Sequence, residues 1–162
     1  MESLVELVAY DAWANARVLE AVAPLSREER EQCVLPGFPS IHQTLVHLLW
    51  AEELWLRRWQ GGSFAPALDP ARFPGPEAIR ERLGQVREEQ ARFLGALGPD
   101  APGRRVAYLN FRGERWEYTL RQMVQHLVAH SAHHRGQVAA LLRSLGRTPP
   151  HTDYLVFIDS RA

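Results

Sequence analysis

The sequence predicts an all-α fold, an up-down four-helix bundle with a small β-hairpin before the last helix. Three observations carry that prediction. Apolar residues recur every three or four positions along four long segments. Clusters of proline and glycine separate these segments. Three helix starts carry a serine or threonine followed three residues later by glutamate or glutamine, the pattern of a capping box. No strands alternate among the long helices, so residues 1–162 read as a single bundle domain.

The first helix is expected from Glu2 to about Pro24, with Val5, Val8, Ala12, Leu19 and Val22 on its apolar side. Ser26 and Glu29 then form a capping box for a short helix through SREEREQC, and Pro36, Gly37 and Pro39 break the chain again. Ser40 and Gln43 open the second long helix, Ile41 to Gln60, which Gly61 and Gly62 stop. A proline-rich loop leads to Pro76, well suited to a first helical position, and the third long helix places Ile79, Leu83, Val86, Phe93 and Leu97 inward. VAYLNFRGERWEYTL alternates around a glycine-containing turn, which predicts the hairpin. Two strands alone are marginal, so the hairpin must pack on the helices. Thr119 and Gln122 open the last long helix, ending near Leu145 before Gly146. The tail RTPPHTDYLVFIDSRA is expected to be irregular, packed back by Tyr154, Val156 and Phe157.

Composition narrows the function classes. A chain of 162 residues buries roughly 70% of its unfolded surface and needs neither disulfide nor metal merely to fold. Cys33 is the only cysteine, which excludes an intramolecular disulfide and fits a reducing compartment, the cytoplasm. Nineteen cations, all arginine, balance nineteen acids, so there is no electrostatic footprint for nucleic acid. No apolar run reaches the roughly 18 residues of a membrane span, and the acidic, periodic start is unlike a signal peptide.

The most informative segment is QMVQHLVAHSAHHRGQVAALL in the last helix. Met123, Leu127, His130, His134, Gln137 and Leu141 fall within about 80° of arc. This stripe is expected to face the core, yet its middle is His, His and Gln, and buried polar groups need partners. His130 and His134 lie one turn apart on one face, a spacing that lets two imidazoles converge on one ion. Hydrogen-bonded core histidines are the alternative. There is no HExxH glutamate, so zincin chemistry is not indicated. His126 and His133 belong to the helix flank. A third ligand must come from a facing helix, where His42 and His47 both stand. Helical angle does not choose between them, because apolar residues surround this helix. His47 is preferred for its mid-helix position, with His42 expected to be solvated in the first turn.

Other residues have plainer roles. Gln137 supports a ligand or simply packs. Asn15 faces the site or makes a helix-flank hydrogen bond. Glu52 and Glu53 point away from His47. Trp13, Trp50, Trp55 and Trp59 are expected in the core or an interface rather than as a substrate platform. Arg135 is expected at the surface, where it could also meet an anionic substrate.

The order YDAWANARVL, LVHLLWAEELWL, HLVAHSAHHRGQVAALLRSLG and PPHTDY resembles the DinB-like (YfiT-like) superfamily from Tyr10 to Tyr154. The resemblance implies a four-helix bundle with a three-histidine metal site, one ligand on the second long helix and two on the last. Carried onto this chain, the ligands are His47, His130 and His134. The resemblance further implies one divalent transition metal, with zinc or nickel the first candidates and iron or manganese the next. It implies a small-molecule substrate, with S-transfer from a low-molecular-weight thiol such as bacillithiol as the expected reaction. A metal-dependent hydrolase and a non-catalytic metal-binding stress-response bundle are the alternatives. Three neutral ligands leave the ion at charge +2 with open positions, the pattern of a catalytic site. Such an ion lowers the pKa of bound water to about 7 or binds a thiol as thiolate. No dedicated catalytic residue or general base is visible. A homodimer is expected through the stripe Ile41, Leu45, Leu48, Trp55 and Trp59 of the second long helix.

Overall fold

Three helix starts are set by reciprocal capping. The hydroxyls of Ser26, Ser40 and Thr119 accept from the backbone N–H of Glu29, Gln43 and Gln122, whose side chains accept from the capping residues in return. Each such cap is worth about 1 kcal/mol. In the computed structural model, which describes residues 4–161, these caps open α2 (Arg27–Glu31), α3 (Ile41–Trp59) and α5 (Leu120–Ser144). The other helices are α1 (Leu4–Val22), α4 (Pro76–Gly95), with Pro76 at its start, and α6 (Tyr154–Asp159). The expected start of α1 at Glu2 lies outside the described residues. Gly61 and Gly146 follow α3 and α5 at φ 90° and 72°, the left-handed region that glycine enters without a Cβ clash.

The bundle runs in the ring order α1–α5–α3–α4. α1 packs on α4 and α5, and α3 packs on the same two, so α1 stands diagonal to α3. The long connections 23–40 and 96–119 cross those diagonals. The strands β1 (Arg105–Leu109) and β2 (Arg115–Thr119) pair antiparallel, Tyr108 opposite Trp116. Buried Val106 and Tyr108 hold the hairpin on the helices. The core is continuous, with Leu19, Ile41, Leu48, Leu49, Trp59, Ile79, Leu127 and Leu141 nearly sealed. No helix among the described residues is long and apolar enough to cross a membrane.

Four expectations change. The inward stripe of α5 runs through Met123, Leu127, Ser131, Arg135, Val138 and Leu142, and His130 and His134 border it at half burial. The periodicity allowed either face, because both share Met123 and Leu127. The tail is not wholly irregular. It forms α6, because Phe157 is buried against Tyr10 and Trp13 at 5.7 and 5.6 Å between ring centroids. Val156 stays exposed. His42 is buried, its ring nitrogen Nε2 3.1 Å from the Pro70 carbonyl, because the proline-rich loop folds over the start of α3. The α3 stripe from Ile41 to Trp59 is buried within the chain itself and offers no face to a second copy. That removes the observation on which a homodimer was expected.

Candidate metal centre

α3 and α5 bring His47, His130 and His134 to one point. Nε2 of His130 lies 3.2 Å from Nε2 of His47 and 3.2 Å from Nε2 of His134. One ligand atom from each of the three lies within 4.8 Å of the other two. The cause is antiparallel pairing across the seam, which sets His47 opposite the 130–134 turn and Trp55 opposite His126. His42 faces the loop, and His133 is exposed on the far flank. Trp50 stands beside His47 at 5.4 Å between centroids, while Trp55 and Trp59 are core residues as expected.

The electrostatics suit neutral ligands. Burial lowers the pKa of all three rings, and neighbouring histidines lower each further, His133 in the case of His134. His130 is pushed down to about 4, first by burial and then by His134 and His47. Neutral imidazole is the ligating form.

Gln137 fixes one tautomer. Its Oε1 lies 2.7 Å from His134 Nδ1 and can only accept, so Nδ1 carries the proton and the Nε2 lone pair faces the centre. Its Nε2 lies 3.2 Å from His133 Nε2, which orients the amide. His133 thus reaches the site through Gln137 rather than as a ligand. A single N–H on His130 Nε2 can point at only one of its two neighbours, whereas a cation satisfies all three nitrogens at once. The donor set therefore fits a divalent metal ion.

A second constellation lies deeper and was largely missed. Arg135 Nη1 donates to Asp11 Oδ1 at 2.5 Å and to Asn15 Oδ1 at 2.9 Å. Asn15 Nδ2 donates to Asp11 and Glu52, and Gln90 Nε2 donates to Glu52 at 2.7 Å. All five side chains are buried. Arg135 is therefore a core residue, contrary to its expected surface position. It follows His134 by one residue, and the 100° turn of the helix carries it inward. Asn15 serves this layer and not the histidines. Glu52 points away from His47, as expected, and ends in the core. Asp11 and Gln90 gave no signal beyond a polar residue at a position the apolar period would bury.

A family model described as the DinB family matches residues 1–162. Protein DinB of Bacillus subtilis (strain 168) is 22% identical over 158 residues, which cover 94% of this chain and 92% of that protein. Among solved structures, YfiT from Bacillus subtilis superposes with a TM-score of 0.71 at 16% identity, covering 91% of this chain and 90% of its own. YfiT is described as a probable metal-dependent hydrolase with an unusual four-helix bundle topology. A DinB-like protein from Bacillus cereus superposes with a TM-score of 0.72 at 19% identity, covering 91% of this chain and 94% of its own. At these identities the superpositions establish a shared fold.

Proposed function

The chain belongs to the DinB family, and from that premise we propose that residues 1–162 form one metal-binding domain serving a hydrolase for small molecules. His47, His130 and His134 hold one divalent transition metal, zinc or nickel before iron or manganese. The observation that carries this reading is the meeting of three Nε2 atoms at 3.2 Å steps, with Gln137 leaving the His134 lone pair facing inward. The description of YfiT as a probable metal-dependent hydrolase supports it.

When bound by these histidines, a divalent ion would supply Lewis acidity to a carbonyl or phosphoryl oxygen and lower the pKa of a water or thiol. The rest is the work of the chain. Burial holds the imidazoles neutral, and Gln137 orients one of them. His126 stacks on His130 at 6.3 Å between centroids. Burial, then the Arg58 charge, lowers its pKa, so it is neutral near physiological pH and able to take a proton from an incoming nucleophile.

S-transfer from a low-molecular-weight thiol of the bacillithiol type is the second reading. One observation favours it: no carboxylate joins the three histidines among the described residues. A thiol held as thiolate needs no carboxylate base. The cytoplasm suits either reading, given the single cysteine. A homodimer would have to use a surface other than the buried stripe of α3.

Metal stoichiometry by mass spectrometry tests the centre. The wild-type protein should carry one ion per chain, and His134→Leu and His47→Leu should each lose it while keeping their helicity. His133→Ala and His42→Ala should keep it. Gln137→Leu should weaken retention about tenfold or more. If both ligand variants still hold a tightly bound ion, the centre is wrong and the enzymatic reading falls with it. Ester hydrolysis and thiol conjugation, each assayed with and without the metal, separate the two reactions.

A further inference from the structure

Beside the histidines, the seam between α3 and α5 opens into a cavity of about 690 Å³ roofed by the hairpin. That size suits a small molecule. Two of its walls adjoin the metal centre. His126 lines it and stacks on His130. Phe111 lines it and stacks at 5.8 Å on Trp50, the neighbour of His47.

Arg58 forms the cavity's charged wall. Its side chain belongs to a residue only 5% exposed, and its guanidinium lies over the rings of Tyr108, Trp55 and Phe111 at 4.3, 4.7 and 5.4 Å. Nε donates to the Ser63 carbonyl at 3.4 Å. No carboxylate pairs with Arg58 among the described residues, whereas Arg82 has Glu53 and Arg135 has Asp11. Its two η nitrogens make no hydrogen bond there either, and they are not among the sealed polar atoms. Aromatic faces offset only part of the cost of desolvating a cation. With three aromatic rings packed against the guanidinium and Nε committed to Ser63, the edge carrying the two η nitrogens is the part left to bind. That edge is a planar fork of donors matched to a coplanar carboxylate. The remaining walls combine flat aromatic surface, with Trp116 edge-on to Tyr108 and Tyr118, and the polar side chains of Asn110 and Gln122. Arg112 and Glu114 at the rim cancel each other, leaving the cavity a net positive charge from Arg58.

We propose that this cavity is the acid-binding part of the substrate site and takes an aromatic or conjugated carboxylic acid. The Arg58 edge holds the carboxylate, Trp116 and Tyr108 hold the flat body, and the opposite end of the molecule leads past His126 towards the histidine centre. Only this last step, the direction of the scissile end, rests on the metal-hydrolase reading.

The probe is naphthoate, titrated calorimetrically into wild-type protein. Naphthamide serves as the neutral isostere and naphthyl phosphate as the tetrahedral anion. Naphthoate should bind about tenfold or more tightly than naphthamide, and Arg58→Met should erase that preference. Trp116→Ala, at a partly exposed hairpin position with little risk to folding, should weaken naphthoate about tenfold. Chelation of the metal should leave its affinity within about twofold. Equal binding of naphthamide, or an undiminished affinity in Trp116→Ala, overturns the proposal even if Arg58→Met fails to fold. Tighter binding of naphthyl phosphate overturns the choice of carboxylate. Loss of naphthoate binding on chelation assigns it to the metal and also overturns the proposal. A protein that retains no metal yet binds naphthoate through Arg58 would refute the hydrolase reading and leave the acid site standing.

Discussion

Arg135 and Asp11 are both almost wholly buried and meet at 2.5 Å. Removing one partner strands a charge in the core, whereas removing both removes the cost of desolvation as well. Arg135→Met and Asp11→Leu should each destabilise by about 3–5 kcal/mol in urea unfolding, and the double variant should recover most of that loss. Additive losses would show that the two side chains act separately. Glu52 gives a pH-dependent counterpart. Burial, then the Asp11 carboxylate, holds it well above the ordinary carboxylate value of 4.5. In the unfolded chain it ionises near that value, so its contribution is complete at lower pH and is lost as pH rises through the raised folded pKa. Glu52→Gln keeps the shape of the neutral acid and loses nothing on that climb. The urea midpoint of the variant should therefore gain on wild type as pH climbs from 4.5 through the raised folded pKa. A constant difference across that window would mean that Glu52 ionises in the fold as it does in solution.

At the scale of elements, α5 joins the three parts of the molecule. Its start carries the hairpin, its middle gives two histidines to the centre, and its inner face carries Ser131 and Arg135 into the core. The junction with β2 depends on Thr119, which is both the last residue of the strand and the cap of the helix. Thr119→Ala removes the acceptor for the Gln122 N–H and should cost about 1 kcal/mol, read as a lowered Tm. The loss should loosen the hairpin as well, because two strands depend on the helices for their stability. Faster amide exchange at Val106 and Tyr108 would register this, and unchanged exchange there would show that the hairpin is held by its buried side chains alone.

At the scale of the whole molecule, the centre sits at the border of a core that does not need it. The apolar cluster runs unbroken through all four long helices. Chelation should therefore leave the helical circular dichroism unchanged, while the Tm falls by the linkage between binding and folding. A bundle that unfolds on chelation would make the ion a structural one, closer to a zinc-finger site.

Helix starts and stops were legible because each is settled within three or four residues: Ser40 with Gln43, Thr119 with Gln122, a glycine after the last turn. The spacing of His130 and His134 was equally local. The third histidine was less so: helical angle does not separate His42 from His47 on a helix apolar all round, mid-helix position only favoured His47, and the resemblance to a known family singled it out. Tertiary structure alone decided the rest. It buried His42 under a loop and used up the α3 stripe within the chain. It turned Arg135 inward and assembled Asp11, Asn15, Glu52 and Gln90 around it from three other helices. It also set Arg58, with no carboxylate partner among the described residues, beneath a hairpin some fifty residues later in the chain. The physical reason is one of range. Caps and turns are governed by neighbours along the chain, whereas the burial and pairing of a charge depend on which helices meet.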